Sequence, residues 1–271
     1  MVPRAVLQGS GHENWLSAGT IGAAFELMCE IEPATGPDLT RVRRQIAVLS
    51  GVADSFLVPD NHLGRATVSS IAVAQEVAAL GGSAIACVNS RDRNLLGFRR
   101  DLLTAAAYGV NEFLFVRGDD PAEGSRSTDL TVRRMIDEAH AYEPRDFRVG
   151  ATLRAGRPVP DWKQAADFLL VQVSYDLDQL VAWRETVSYA GKMLAGVMVM
   201  ASAKMAQTIA DTVPEIGVPE ALIRQLGTDR DAGVDVAVEM IDRIRSSGCF
   251  DGVHLVPVGR YNDIATRLRH R

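Results

Sequence analysis

Short apolar runs alternate with amphipathic stretches along most of this chain. The runs Phe25–Ile31, Ser55–Val58, Ser83–Val88, Glu112–Val116, Phe147–Ala151, Phe168–Val173, Met193–Met200 and Gly252–Val256 are apolar almost without interruption. Runs of that length with little polar alternation read as strands buried on both faces. Between them, apolar residues recur every three to four positions over Asp38–Leu49, Val68–Leu80, Leu95–Tyr108, Thr128–Ala141, Trp162–Ala166, Leu177–Tyr189, Ala203–Thr212, Pro219–Leu226 and Ala232–Ser246, which reads as helix. Asp38, after Pro37, and Ser202 stand where a side chain can cap a helix start. Gly81, Gly109 and Gly191 stand where a helix must end in the left-handed region.

Eight strands alternating with helices predict an α/β fold, a single closed parallel (β/α)8 barrel. A doubly wound open sheet is the alternative, but no Gly-rich dinucleotide fingerprint follows the first strand. No Pro/Ser/Gly-rich linker divides the chain, so residues 21–271 are expected to form one barrel domain. Residues 1–20, with Gly9, Gly11 and Gly19, show no periodic element and are expected to form an arm over the barrel or to be disordered.

Polar groups collect where the predicted strands end. Phe113-Leu-Phe-Val-Arg-Gly-Asp-Asp-Pro121 leaves its strand through Arg117, Gly118, Asp119 and Asp120, and Gly118 permits a turn or the close approach of a ligand. Phe25–Ile31 ends around Glu30 and Glu32, Phe56–Val58 runs into Asp60, Asn61 and His62, and Ile85–Val88 into Asn89, Ser90, Arg91 and Asp92. A (β/α)8 barrel assembles its active site at these carboxyl ends.

Composition narrows the partners. At 271 residues and 47% hydrophobic the chain can bury a substantial core, and a net charge of -5 argues against a nucleic-acid surface. The basic runs Arg41-Val-Arg-Arg44 and Arg99-Arg100 read as solvated helix faces. Cys29, Cys87 and Cys249 are odd in number and widely spaced, as reduced core residues are, and form neither a disulfide framework nor a zinc motif. No signal-peptide h-region and no membrane-length apolar stretch is visible, so the expectation is a cytoplasmic protein with no membrane partner; the sequence names no protein partner.

Among the polar residues, Glu30 sits next to Met28 and Ile31, a setting that would partly desolvate its carboxylate and suit it to general-acid work. Pairing of Glu30 or Glu32 with an arginine at the barrel bottom is the competing reading. Arg117 and Asp119 form either a ligand site or a structural ion pair. The Gln172 amide in its apolar strand must bond a neighbour or face a ligand, and Arg260 beyond the last strand can hold an anion or a helix carbonyl. His62 and His254 lack metal-ligand spacing and read as loop or core histidines. No nucleophile elbow, P-loop or Cys/His pair is present, which disfavours hydrolysis through a covalent nucleophile.

Taken in order, Cys29-Glu-Ile-Glu-Pro33, Asn89-Ser-Arg-Asp-Arg-Asn94, Phe115-Val-Arg-Gly-Asp-Asp-Pro121, Gln172 and Arg260 resemble the methylenetetrahydrofolate reductase family over about residues 25–265. The resemblance implies a (β/α)8 barrel that reduces 5,10-methylenetetrahydrofolate to 5-methyltetrahydrofolate. It further implies Glu30 as the acid that assists opening of the five-membered ring, Asp119 as a carboxylate near cofactor and pterin, and folate contacts at Asn89, Gln172 and Arg260. Arg117, Gly118 and Asp119 would then contact the cofactor.

The chain departs from the family where flavin is held. The Tyr-Pro-Glu-x-His-Pro segment after the fifth strand is replaced by Ala151-Thr-Leu-Arg-Ala-Gly-Arg157, and Thr-Tyr-Gly after the second by Val58-Pro-Asp60. Cys87 stands for the histidine of the third strand and Ala203 for the aromatic of the seventh-strand loop, while a lysine near the sixth strand persists as Lys163. These departures imply a short, divergent reductase with NADH as hydride donor in place of FAD. A reductase that holds FAD or a deazaflavin through other residues, and a non-catalytic folate-binding barrel, remain the alternatives.

Overall fold

The computed structural model describes residues 25–120, 124–143 and 145–270, so the arm expected over residues 1–20 lies outside the described residues. Eight strands close into one parallel barrel in sequence order. They are β1 (Glu26–Glu30), β2 (Ser55–Val58), β3 (Ala84–Asn89), β4 (Glu112–Val116), β5 (Arg148–Leu153), β6 (Phe168–Val171), β7 (Lys192–Met198) and β8 (Gly252–Val256). Closure is set at β1, whose Met28 pairs with Ser55 on one side and His254 on the other.

The helices are α1 (Thr40–Leu49), α2 (Ser70–Ala79), α3 (Leu95–Tyr108), α4 (Val132–His140), α5 (Leu177–Thr186), α6 (Ala203–Thr212), α7 (Glu220–Leu226), α8 (Ala232–Ser247) and α9 (Tyr261–Arg269). Their apolar stripes cover the outward side chains of the strands, giving the larger core, which includes Ile46, Val77, Phe98, Phe113, Phe115 and Ile241. Strand side chains alternate between this shell and the barrel interior. Met28, Leu57, Ile85, Leu114, Phe168, Leu170 and Leu194 fill the interior. Gly150 has no side chain because Phe168 occupies the space its Cβ would need.

The amino-terminal end of the barrel is closed by polar pairs. Lys192 Nζ donates to Glu26 Oε2 at 3.0 Å, Ser55 Oγ donates to Glu26 Oε1 at 2.9 Å, and Arg148 Nη1 donates to Glu112 Oε2 at 2.7 Å. Arg148 also lies 5.1 Å from the Phe168 ring centre, so the plug rests directly on the apolar interior.

Three local expectations are corrected. Trp162–Ala166 is not a helix: a 3₁₀ turn over Asp161–Lys163 replaces it, because Asp167 N already bonds Val149 O and β6 begins at Phe168, leaving room for a single turn. Asp38 is one residue too early to cap α1 and instead accepts from Thr40 N at 2.9 Å. Gly191 has no left-handed backbone; a Cβ there would collide with Asp167 O. Ser202 does cap α6, and Gly81 and Gly109 have φ of 83° and 74°. Helix α9, which the strand-by-strand reading stops short of, packs against α1 and α8.

Candidate active site

A cleft of about 790 Å³ opens at the carboxyl ends of the strands. That volume suits a drug-sized ligand. Its floor is the top layer of inward side chains, and it is there that Glu30 lies. The strand β1 turns Glu26, Met28 and Glu30 to the same side, so one acid joins the bottom plug, the methionine fills the interior and the last acid reaches the cleft.

Glu30 meets a histidine there. His254 Nε2 lies 3.2 Å from Glu30 Oε2, and both side chains are less than one-fifth exposed. The approach is close but off the angle of a hydrogen bond, which leaves His254 Nε2 buried without a hydrogen-bond partner. Such a nitrogen is free to bond a ligand or a water at the carboxylate. His254 is therefore a site residue, not the core or loop histidine expected from its spacing. Its signal was present in Val253-His254-Leu255, a polar residue at the inward position of an otherwise apolar strand. Cys87 borders the same floor, and burial, with Asp60 and Glu30 adding negative potential, pushes its thiol well above the usual range. It stays neutral and is no nucleophile.

One wall is a network built on the exits of β2 and β3. Asp60 is buried and accepts from Asn89 N at 3.0 Å, Asn89 Nδ2 at 2.7 Å and Arg93 Nη1 at 2.6 Å. Asn89 Nδ2 also reaches Asp92 Oδ2 at 2.9 Å, while its Oδ1 accepts from Asp92 N. Asn89, expected to touch substrate, is fully buried with its amide spent on these bonds; it does not line the cleft. It shapes the wall, and Asp60 is the member that faces the cleft.

Gly118 lies on Asn89. Its φ is 85°, and a Cβ would come within 2.9 Å of Asn89 Cβ, so only glycine lets the β4 exit fold onto this wall. The turn delivers Arg117, Gly118 and Asp119 to the cleft, with Arg117 and Asp119 exposed. Gln172, just past β6, is exposed at the rim; its backbone N bonds Leu153 O at 2.8 Å and its side chain lines the cleft.

Arg260 is not brought to this place. It precedes α9, is 8% exposed, and donates to Asp263 Oδ2, Asp231 Oδ1 and Arg230 O, each at 2.5 Å. The folate contact expected of Arg260 is corrected on that ground: its guanidinium ties α9 to the loop before α8.

Glu30, Asp119, Gln172, Arg117 and Gly118 thus share one cleft with His254 and Asp60. Among the described residues no group of three or more His, Cys, Asp or Glu side chains is placed to hold a metal. No Phe, Tyr or Trp is among the cleft's described lining residues.

The fold and floor define a (β/α)8-barrel protein with a carboxylate and a histidine at the strand ends. Residues 162–268 match the model of the methylenetetrahydrofolate reductase family. The match contains Gln172, His254 and Arg260; Glu30 and Asp119 lie outside it and join the site through the barrel's closure. Among solved structures, an uncharacterized protein from Clostridium thermocellum described as binding two copies of 5-methyl-5,6,7,8-tetrahydrofolic acid superposes with a TM-score of 0.63 at 12% identity, over 90% of this chain and 94% of that one. The Bacillus cereus spore cortex-lytic enzyme SleL gives 0.56 at 12% identity, over 90% and 73% of the two chains. Tryptophan synthase from M. tuberculosis gives 0.51 at 14% identity, over 91% and 89%. These likenesses establish the barrel fold. No curated protein matches the sequence. No helix among the described residues is long and apolar enough to cross a membrane.

Proposed function

We propose that the protein reduces 5,10-methylenetetrahydrofolate to 5-methyltetrahydrofolate with hydride taken directly from NADH, in the cytoplasm. The observation that carries this reading is Glu30, held on the cleft floor beside His254 and facing the same space as Asp119 and Gln172. Reduction of the methylene bridge needs a proton before it needs a hydride. Protonation of N10 breaks the bond from N10 to the bridging carbon and leaves that carbon as an N5 iminium, which accepts hydride to become the methyl group. NADH leaves as NAD, and the acid recovers its proton from solvent. Glu30 is the proton donor in this scheme, and His254 lies 3.2 Å from its carboxyl on the cleft floor. Gln172 at the rim has both amide donors and an acceptor to offer a pterin edge, while Asp119 faces the same space.

Ala151-Thr-Leu-Arg-Ala-Gly-Arg157, Val58-Pro-Asp60 and Cys87 stand where the family's flavin-holding residues are expected, and this supports a donor other than a flavin. Without a flavin to store the electrons, NADH and folate must be bound together. Initial-rate lines should then intersect, whereas a flavin carrier can release NAD first and give parallel lines. The deciding experiment is an absorbance spectrum of the purified protein together with anaerobic, methylenetetrahydrofolate-dependent NADH oxidation. Colourless protein that turns over without added flavin is expected. Stoichiometric FAD, or turnover only when FAD is supplied, would overturn direct transfer. A second reading, a barrel that binds folate without turnover, is favoured by the description of the Clostridium thermocellum neighbour as a binder of 5-methyltetrahydrofolic acid. Folate binding with no NADH oxidation would select it.

A further inference from the structure

A folate is more than its pterin. Its far end carries a glutamate with two carboxylates, and each further γ-linked glutamate adds one more. Arg260 does not meet them, since Asp231, Asp263 and Arg230 O take up its guanidinium. The cleft itself offers other cations, and they are placed unevenly. Its carboxylates, Glu30, Asp60 and Asp119, come from the exits of β1, β2 and β4. From β5 through β8 no carboxylate is among the described lining residues, whereas Arg154, Arg157 and Lys163 are. In a chain of net charge -5, the β5 side of the mouth is thus a local cationic rim.

The two arginines differ from the lysine in what they have free. Lys163 donates to Thr152 O. Arg154 pairs with Glu215 at 3.0 Å, but its side chain is 72% exposed, and a pair so open to water exchanges one carboxylate for another at little cost. Arg157 has no ion-pair partner among the described residues, while its backbone is anchored from below, where Trp183 Nε1 donates to Arg157 O at 2.9 Å. Pro158 follows it and narrows the conformations open to Arg157. Gly156, with φ of 80°, makes the turn between the two arginines. A free guanidinium on a fixed base is suited to a bidentate carboxylate.

The position fits as well as the charge. Gln172 N donates to Leu153 O at 2.8 Å, which sets the start of the β5 exit alongside Gln172. The base of the barrel is plugged at Glu26, so a ligand whose pterin lies between Glu30 and Gln172 carries its tail out over the mouth.

We propose that Arg154 and Arg157 bind the carboxylates of the folate's glutamate tail, so that the cleft favours folates with several glutamates. The inference rests on the folate reading of the cleft and is independent of which group donates the hydride.

Calorimetric titration of the full-length protein with 5-methyltetrahydrofolate bearing one or three glutamates reads the tail without turnover. The triglutamate should bind about 10-fold more tightly, the scale of one or two charge-assisted contacts, and added salt should shrink that advantage. Arg154→Gln/Arg157→Gln, both at exposed positions, should bring the two affinities within two-fold of each other, with circular dichroism checking the fold. Arg44→Gln on α1 removes an exposed charge outside the cleft lining and should keep the parent's ratio. Equal binding of the two folates by the parent would overturn the proposal and leave the folate reading standing. So would a ratio that survives in the double variant, including one accompanied by a raised Michaelis constant for NADH, which would give the arginines to the donor. Binding of neither folate would reject the proposal and the folate reading together.

Discussion

Glu30 and Asp92 are both carboxylates at the barrel mouth, and their surroundings give them different work. Glu30 has His254 3.2 Å away and an open side toward the cleft. Glu30→Gln keeps the shape and removes the transferable proton, so turnover should fall about 100-fold or more with folate binding nearly unchanged. Turnover within a few-fold of the parent would remove Glu30 from the acid's role. Asp92 is spent on structure: hydrogen bonds from Arg91, then from Asn61 and Asn89, outweigh its burial and hold it well below the usual carboxylate range. A depressed folded value stabilises the native state above the ordinary value near 4 and is lost as pH falls toward the folded one. Urea midpoints measured from pH 7 to 3 should therefore drop on acidification below about pH 4, and Asp92→Asn should flatten that limb. An identical acid limb in the variant would count against it.

At the scale of elements, the barrel interior is tuned by one large and one absent side chain. Phe168 on β6 is completely buried and fills the space left by Gly150 on β5. Phe168→Ala should cost about 3–5 kcal/mol by opening a cavity, and Gly150→Ala should destabilise by collision. Together they should cost less than the sum of the two, since each variant leaves room for the other, and denaturant titration of all three proteins checks this. Strict additivity would mean that the two sites do not share their space. Arg260 belongs to the same scale. Its three bonds join α9 to the start of α8, so Arg260→Ala should lower stability by about 1–3 kcal/mol and leave the folate Michaelis constant unchanged. A raised Michaelis constant with unchanged melting would restore it to the substrate.

Much of the molecule was legible because strands buried on both faces leave a plain mark. Glu112–Val116, Ser55–Val58 and Gly252–Val256 are bounded in the structure as the apolar runs bound them. The strand exits were legible for the same reason, since polar residues that end an apolar run must lie at the barrel mouth. What escaped depended on partners distant in sequence. His254 looks like a core histidine until closure sets β8 against β1, and Arg260 looks like an anion ligand until Asp231 and Asp263 are seen to surround it. Asn89 failed as a ligand residue for a similar reason, because Asp60 and Asp92 take up its amide. Between β5 and β6 the apolar spacing of Trp162 and its neighbours mimics a helix, but β6 begins at Phe168 and leaves room for one 3₁₀ turn.

The plug at the amino-terminal end, where Glu26 holds Ser55 and Lys192 and Arg148 rests on Phe168, gives the barrel a sealed base. A vessel with one opening imposes an order on its contents. Whatever lies against Glu30 has entered before anything stacked above it and departs after it, so under the proposed reaction the order of the two substrates would be set by depth in the cleft as well as by affinity.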